Sequence, residues 1–164
     1  MRPIYLTRQL DTADADGIAL AQTPLAGGEL TINGAFASGG VATLDAQRQI
    51  LFTFAADETG RTFVLTGTDD NGYVQSESVA GAAATAVSVL SYKTVTSITI
   101  DAASAGAITV GTNGVGASVP VPLDQYVPDF TVMLAVILKS GAANFTVQYT
   151  FDDVFTKYAP YNAL

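Results

Sequence analysis

Three stretches of this chain alternate apolar with hydroxyl or amide side chains, residue by residue: Ser97-Ile98-Thr99-Ile100, Ala107-Ile108-Thr109-Val110-Gly111 and Asn144-Phe145-Thr146-Val147-Gln148-Tyr149-Thr150-Phe151. Successive side chains of a β-strand point to opposite faces, so this alternation, rich in β-branched residues, marks strands with one buried face. The first two stretches read as a hairpin-like pair with no catalytic side chain between them. The pattern directs the chain towards a small β-domain selected for shape and surface, with a role in assembly or binding.

The same reading extends along the chain. Gln49-Ile50-Leu51-Phe52-Thr53-Phe54-Ala55 places Ile50, Phe52 and Phe54 on one face. Asp57-Glu58-Thr59-Gly60 is a turn, and residues 62–68 return with Phe63 and Leu65 on one side, so the two strands read as a hairpin. Asp69-Asp70-Asn71-Gly72 turns the chain again, and 73–79 pairs back, with Glu77 on the polar, solvated side. Shorter strands are expected at 30–32, closed by Asn33-Gly34, and at 41–44, 85–89 and 92–95. Asn113-Gly114 supplies a further turn. Pro120 and Pro122 make a stiff extended connector, and 127–138, the most apolar stretch, reads as a central strand or one packed on a neighbouring subunit.

Eight to ten strands with little helix imply an all-β fold, a two-layer antiparallel β-sandwich with extended termini. Jelly-roll and immunoglobulin-like topologies fit these patterns equally. The expected core is Ile50, Phe52, Phe54, Phe63, Leu65, Ile98, Ile100, Ile108, Val110, Val132, Leu134, Phe145, Val147 and Tyr149. At 164 residues the chain is one domain's length and can bury about two-thirds of its unfolded surface. Residues 1–30 read as an N-terminal arm or edge segment, 31–155 as the sandwich and 156–164 as a C-terminal tail. Tyr5 and Leu6 in the arm, Phe155 at the end of the sandwich, and Tyr158, Tyr161 and Leu164 in the tail are the candidate partner contacts, since apolar side chains this dense must fold back or meet a partner. Pro160 excludes the end from a regular helix or central strand.

Composition narrows the chemistry. The chain has neither cysteine nor histidine, which removes disulfides, thiolate catalysis, a Ser-His-Asp triad and any zinc site not made of carboxylates. Its formal charge is −8, from fifteen acidic and seven basic residues. The basic ones are scattered from Arg2 to Lys157, so none cluster to track a phosphate backbone, and nucleic acid is not expected as a direct ligand. Charged residues are only 13% of the chain, about half the usual share, so the surface must be largely hydroxyl and methyl. Such a surface packs closely against other subunits at little cost in side-chain entropy. The N-terminus lacks an apolar stretch of signal-peptide length, and the run 132–138 is too short to span a bilayer. Synthesis in a cytoplasm and no membrane partner are the expectations.

Motifs that suggest a ligand have simpler explanations. The acidic turn at Asp69 lacks EF-hand ligand spacing, and Gly111-Thr112-Asn113-Gly114-Val115-Gly116 lacks the Lys-Ser/Thr and helix start of a phosphate loop. The adjacent pairs Asp57-Glu58, Asp69-Asp70 and Asp152-Asp153 face opposite sides of a strand, so they do not by themselves form a glycosidase's opposed acids. Tyr73, Tyr92, Tyr149, Tyr158 and Tyr161 would suit a carbohydrate-binding module if exposed. No cofactor is expected.

The run Thr62-Phe63-Val64-Leu65-Thr66-Gly67-Thr68-Asp69-Asp70-Asn71-Gly72, then Gln75-Ser76-Glu77-Ser78-Val79, then Tyr92-Lys93-Thr94-Val95-Thr96-Ser97-Ile98-Thr99-Ile100, with a late Gln148 to Asp153 segment, resembles small virion structural proteins of tailed bacteriophages. The resemblance spans roughly residues 60 to 155 and rests on turns and strands; the first fifty residues carry no part of it. It implies a non-enzymatic subunit of the virion, on the capsid surface as decoration or cement or at the head-tail junction. The partners it implies are the major capsid protein or neighbouring virion subunits, engaged as a homo-oligomer. A connector or tail subunit and a carbohydrate-binding module on the virion are the alternatives.

Overall fold

A computed structural model describes residues 10–122, 135, 137 and 141–149. Two compact units divide the chain, Met1–Val119 and Pro120–Leu164. In the first, the described residues form an all-β domain of eight strands: β1 (Ala19–Gln22), β2 (Gly28–Glu29), β3 (Ala37–Ser38), β4 (Val41–Phe54), β5 (Thr62–Thr68), β6 (Val74–Ala80), β7 (Thr85–Ile100) and β8 (Ile108–Ala117). They pair in one antiparallel sheet of order β1-β8-β4-β7-β5-β6, with β2 added to β7 and β3 to β4.

One of the three expected hairpins forms. β5 and β6 pair in unbroken register from Thr62↔Ala80 to Thr68↔Val74. Their turn is fixed by Asp69, whose Oδ1 accepts the amides of Asn71 (2.9 Å) and Tyr73 (2.8 Å), and by Gly72 at φ +83°, a left-handed conformation that glycine adopts without strain. The strand containing Phe52 does not pair with the one containing Phe63, because β7 lies between β4 and β5. Nor do the strands of Ile98 and Ile108 form a hairpin; β7 and β8 flank β4 on opposite sides. Alternation determines which side chains share a face and leaves the choice of neighbour to the rest of the chain.

The sequence also divides strands that the structure joins. β4 runs through 41–54 because its irregularity is absorbed by a bulge. Thr43 faces Thr94 and Arg48 faces Tyr92, so Leu44 to Gln47 stand opposite Lys93 alone, and Lys93 Nζ donates to the Asp45 carbonyl at 3.2 Å. There the period-two burial breaks, with Ala46, Gln47 and Arg48 buried in succession. β8 likewise continues past Asn113-Gly114: Ile50 faces Thr112 and Arg48 faces Gly116, leaving 113–115 to bulge opposite Gln49. Such bulges bend and twist a strand without ending its pairing. Residues 30–32 make no strand, although Leu30 and Ile32 are buried; β2 is the paired segment there.

The core lies on the inward side of the sheet. Ile50, Phe52, Phe54, Phe63, Leu65, Ile98, Ile100, Ile108 and Val110 are buried, as their alternation implies, and Ile18, Leu30, Leu44, Tyr92 and Val95 join them. Phe63 packs against Phe52 and Phe54 with ring centroids 5.2 and 5.4 Å apart, a geometry worth about 0.5–1.5 kcal/mol per pair beyond area burial. Three expected core residues are not buried: Phe145, Val147 and Tyr149 are 61–67% exposed, and 144–149 forms no regular strand. Val132 and Leu134 lie outside the described residues.

Candidate interaction surface

Registers across four strands place the side chains row by row. On the inward side, Ala42, Val95, Gly67 and Gln75 stand in one row, Ile98, Leu65 and Glu77 in the next, and Ile100, Phe63 and Val79 in the third. On the outward side the corresponding rows are Thr43, Thr94, Thr68 and Val74; Ser97, Thr66 and Ser76; then Glu29, Thr99, Val64 and Ser78. All of these are exposed or half-buried. The outward rows thus make a face of hydroxyl and methyl groups with one charge, Glu29, at its rim.

Half of the hydroxyls in these rows are satisfied within the face. Thr66 and Ser76 share a hydrogen bond of 3.0 Å, Thr68 and Thr94 one of 2.7 Å, and Ser76 and Thr96 also donate to the carbonyls of Leu65 and Thr66. Burying an unbonded hydroxyl is costly. Hydroxyls that already hold one another can be covered by a partner without that loss. Val64 and Val74, 39% and 77% exposed, add apolar area between the hydroxyls.

Several acidic residues that the sequence leaves to solvent serve the framework. Glu77 belongs to the inward row opposite Leu65, not to the solvated side; its carboxylate accepts the amides of Val89 (2.9 Å) and Leu90 (3.2 Å), while Gln75 Nε2 donates to the Ser91 carbonyl at 2.6 Å. These side chains occupy backbone groups of β7 beyond the end of its pairing with β5. Glu58, 1% exposed, accepts the amides of Ala105 (2.7 Å) and Gly106 (3.0 Å) through Oε1 and joins the 57–61 turn to the 103–106 loop. Its Oε2 has no hydrogen-bond donor and lies 4.0 Å from Arg61 Nε.

The guanidinium of Arg48, also 1% exposed, crosses the β4 bulge. Its Nη2 donates to Asp45 Oδ2 at 3.0 Å and to the Asp11 carbonyl, and Nη1 reaches Thr112 Oγ1 at 3.4 Å. Nε is 2.8 Å from Asp45 Oδ1 without the alignment of a hydrogen bond.

The tyrosine reading changes too. Tyr92 is fully buried and closed to a sugar. Its ring lies where a Cβ on Gly67 would collide with it and with the Thr94 carbonyl, so the glycine makes room for the tyrosine. Burial first, and the nearby Glu77 carboxylate second, push the Tyr92 phenol above its ordinary range, and its hydroxyl makes no hydrogen bond. Tyr149 is 61% exposed. The six candidate contacts, Tyr5, Leu6, Phe155, Tyr158, Tyr161 and Leu164, lie outside the described residues.

No cluster of three or more His, Cys, Asp or Glu able to hold a metal ion occurs among the described residues. A shallow hollow of about 300 Å³ is lined by Glu29, Leu30, Thr31, Ile32 and Gly40, with a single titratable side chain. The outward face is the more extensive feature, and residue identity alone hints at it only through Thr62, Val64, Thr66 and Thr68 on alternate positions of β5. Its extent depends on the registers to β6 and β7. Searches of protein-family models, curated proteins and solved structures with this chain found no match.

Proposed function

We propose that this chain is a non-enzymatic structural protein of a tailed-phage virion that decorates or cements the capsid shell, with the hydroxyl-and-methyl face as its packing surface. The observation that carries this reading is that a chain of net charge −8 keeps charge off three consecutive rows of its sheet except at the rim. A broad, nearly neutral face with half of its hydroxyls already bonded to one another suits association with the major capsid protein or a second copy, because few of its polar groups lose a partner on burial. Repetition of weak contacts over a symmetric particle multiplies their effect. The finer fold reading belongs to the same proposal: a two-layer sandwich of jelly-roll or immunoglobulin-like type, supported by the single antiparallel sheet and by the bulges that bend β4 and β8.

Electron cryo-microscopy of the native particle tests this directly. Density for this chain spread over the icosahedral shell is the expected result. Density at one vertex would move it to the head-tail junction or tail, and its absence from particles would overturn the virion reading. Val74→Lys and Ser78→Lys, both at exposed positions without a side-chain hydrogen bond, test the face itself: particle binding is lost while the isolated protein's stability stays within about 0.5 kcal/mol of the parent.

A further inference from the structure

The chain holds three Asn-Gly pairs, Asn33-Gly34, Asn71-Gly72 and Asn113-Gly114, which by sequence alone are equivalent sites for spontaneous deamidation. In that reaction the glycine nitrogen loses its proton and attacks the asparagine Cγ. A C–N bond closes a five-membered succinimide, the Cγ–Nδ2 bond breaks, and ammonia leaves. Water then opens either ring carbonyl, giving aspartate or isoaspartate, so the net change is asparagine plus water to an acid plus ammonia. The side chain must be free to swing onto the next nitrogen, and the backbone must be free to follow it.

The fold treats the three sites differently. Asn33 is held on both counts: its Oδ1 accepts the Leu20 amide at 3.0 Å, the Gly34 amide donates to the Ile18 carbonyl at 2.9 Å, and Gly34 is packed against the backbone of Asp16 and Gly17. Asn113 is held by its side chain, with Oδ1 accepting the Val115 amide at 3.0 Å and Nδ2 reaching Gln49 Oε1 at 3.5 Å. Its bulge is pinned on either side by the Thr112 and Gly116 pairings to β4. Asn71 differs. It is exposed; its own amide is held by Asp69 Oδ1, but its side chain makes no hydrogen bond among the described residues, and the attacking nitrogen, the Gly72 amide, makes only a long 3.2 Å bond to the Asp69 carbonyl. Nothing lies within 4 Å of where a Cβ on Gly72 would stand.

We propose that Asn71 is this protein's site of spontaneous deamidation, with Asn113 and Asn33 protected by the fold. The product places a third carboxylate beside Asp69 and Asp70, and its isoaspartate form adds a backbone methylene to the turn joining β5 and β6.

The test is peptide mapping of the folded full-length chain over time in mildly alkaline buffer, with isoaspartate and aspartate forms separated chromatographically, and the same series in concentrated urea. Folded protein is expected to convert Asn71 faster than either other site by roughly tenfold or more, the scale on which held-apart groups lose an intramolecular reaction. In urea the three rates converge. Conversion of Asn33 or Asn113 as fast as Asn71 in the folded protein overturns the proposal, as does an Asn71 that reacts in urea but not when folded. The same gap persisting in urea would assign the selectivity to local sequence and equally overturn protection by the fold. Asn71→Gln is expected to remove most of the folded protein's acidic charge variants.

Discussion

Two segments of this chain carry the same alternation and meet opposite fates. In β4, Ile50, Phe52 and Phe54 are at most 6% exposed, whereas Phe145, Val147 and Tyr149 stand 61–67% exposed. Both segments have the spacing of a half-buried strand. The difference is what surrounds them: β4 is paired on both sides, by β7 and β8, and its aromatic rings meet Phe63. No strand pairing is formed by 144–149. Period-two alternation therefore specifies a face that can be buried, and the supply of a partner is a separate matter. In the proposed assembly, the exposed segment is the natural place to look for a partner contributed by another subunit.

The strongest way to break the comparison is to truncate both segments. Phe52→Ala should destabilise the protein by about 3–5 kcal/mol, the usual cost of emptying an aromatic site in a packed core, measured by urea unfolding. Phe145→Ser, at low protein concentration, should change the unfolding free energy by less than about 0.5 kcal/mol. A loss at Phe145 comparable with that at Phe52 would show that 144–149 is packed within the chain after all.

Glu58→Ala should cost about 1–3 kcal/mol, because the Ala105 and Gly106 amides lose their acceptor. Amide exchange at those two residues should accelerate with it, and Glu58→Gln, which keeps an acceptor, should restore most of the protection. If both variants unfold like the parent, the joint between the 57–61 turn and the 103–106 loop contributes nothing to stability.

The smallest expected effect concerns acid. Hydrogen bonds from the Thr59 hydroxyl and amide hold the Asp57 carboxyl below its ordinary value of 3.8. Its contribution to stability is complete above that value and is lost as pH falls through the lower folded value. Thr59→Val should therefore lower stability above that value and remove part of the fall on the acid limb, leaving the two proteins alike at the lowest pH. Asp16 acts in the opposite sense: its hydrogen bond with Asp14, burial and the Asp14 charge raise its pKa, so the folded state binds a proton more readily and stability falls as pH rises through that window. Asp16→Asn should remove that fall. Unfolding curves recorded between pH 2 and 6 check both signs.

Much of the local structure was legible residue by residue. The span of β5, the Asp69–Gly72 turn and nine buried residues from Ile50 to Val110 follow from alternation and turn chemistry, since these depend on neighbours in sequence. Glu77 shows the limit. As a single acid in a strand it reads as solvated, and only the 62–68 and 74–80 register puts it on the inward row, where the Val89 and Leu90 amides use its carboxylate. The outward face was legible as composition, a surface short of charge, but its location was not.

By itself the sequence determined an all-β domain, the phase of its main strands, and the absence of thiol and imidazole chemistry, because side-chain type and the two-residue repeat are local properties. The tertiary structure alone decided that β7 inserts between β4 and β5, that Arg48 and Glu58 are buried, that Thr43, Thr94, Thr68 and Val74 share one row, and that Phe145 stands exposed. Each of those depends on which distant segments pair and in what register. The energy of such pairing is shared among many weak contacts that no single stretch of chain encodes.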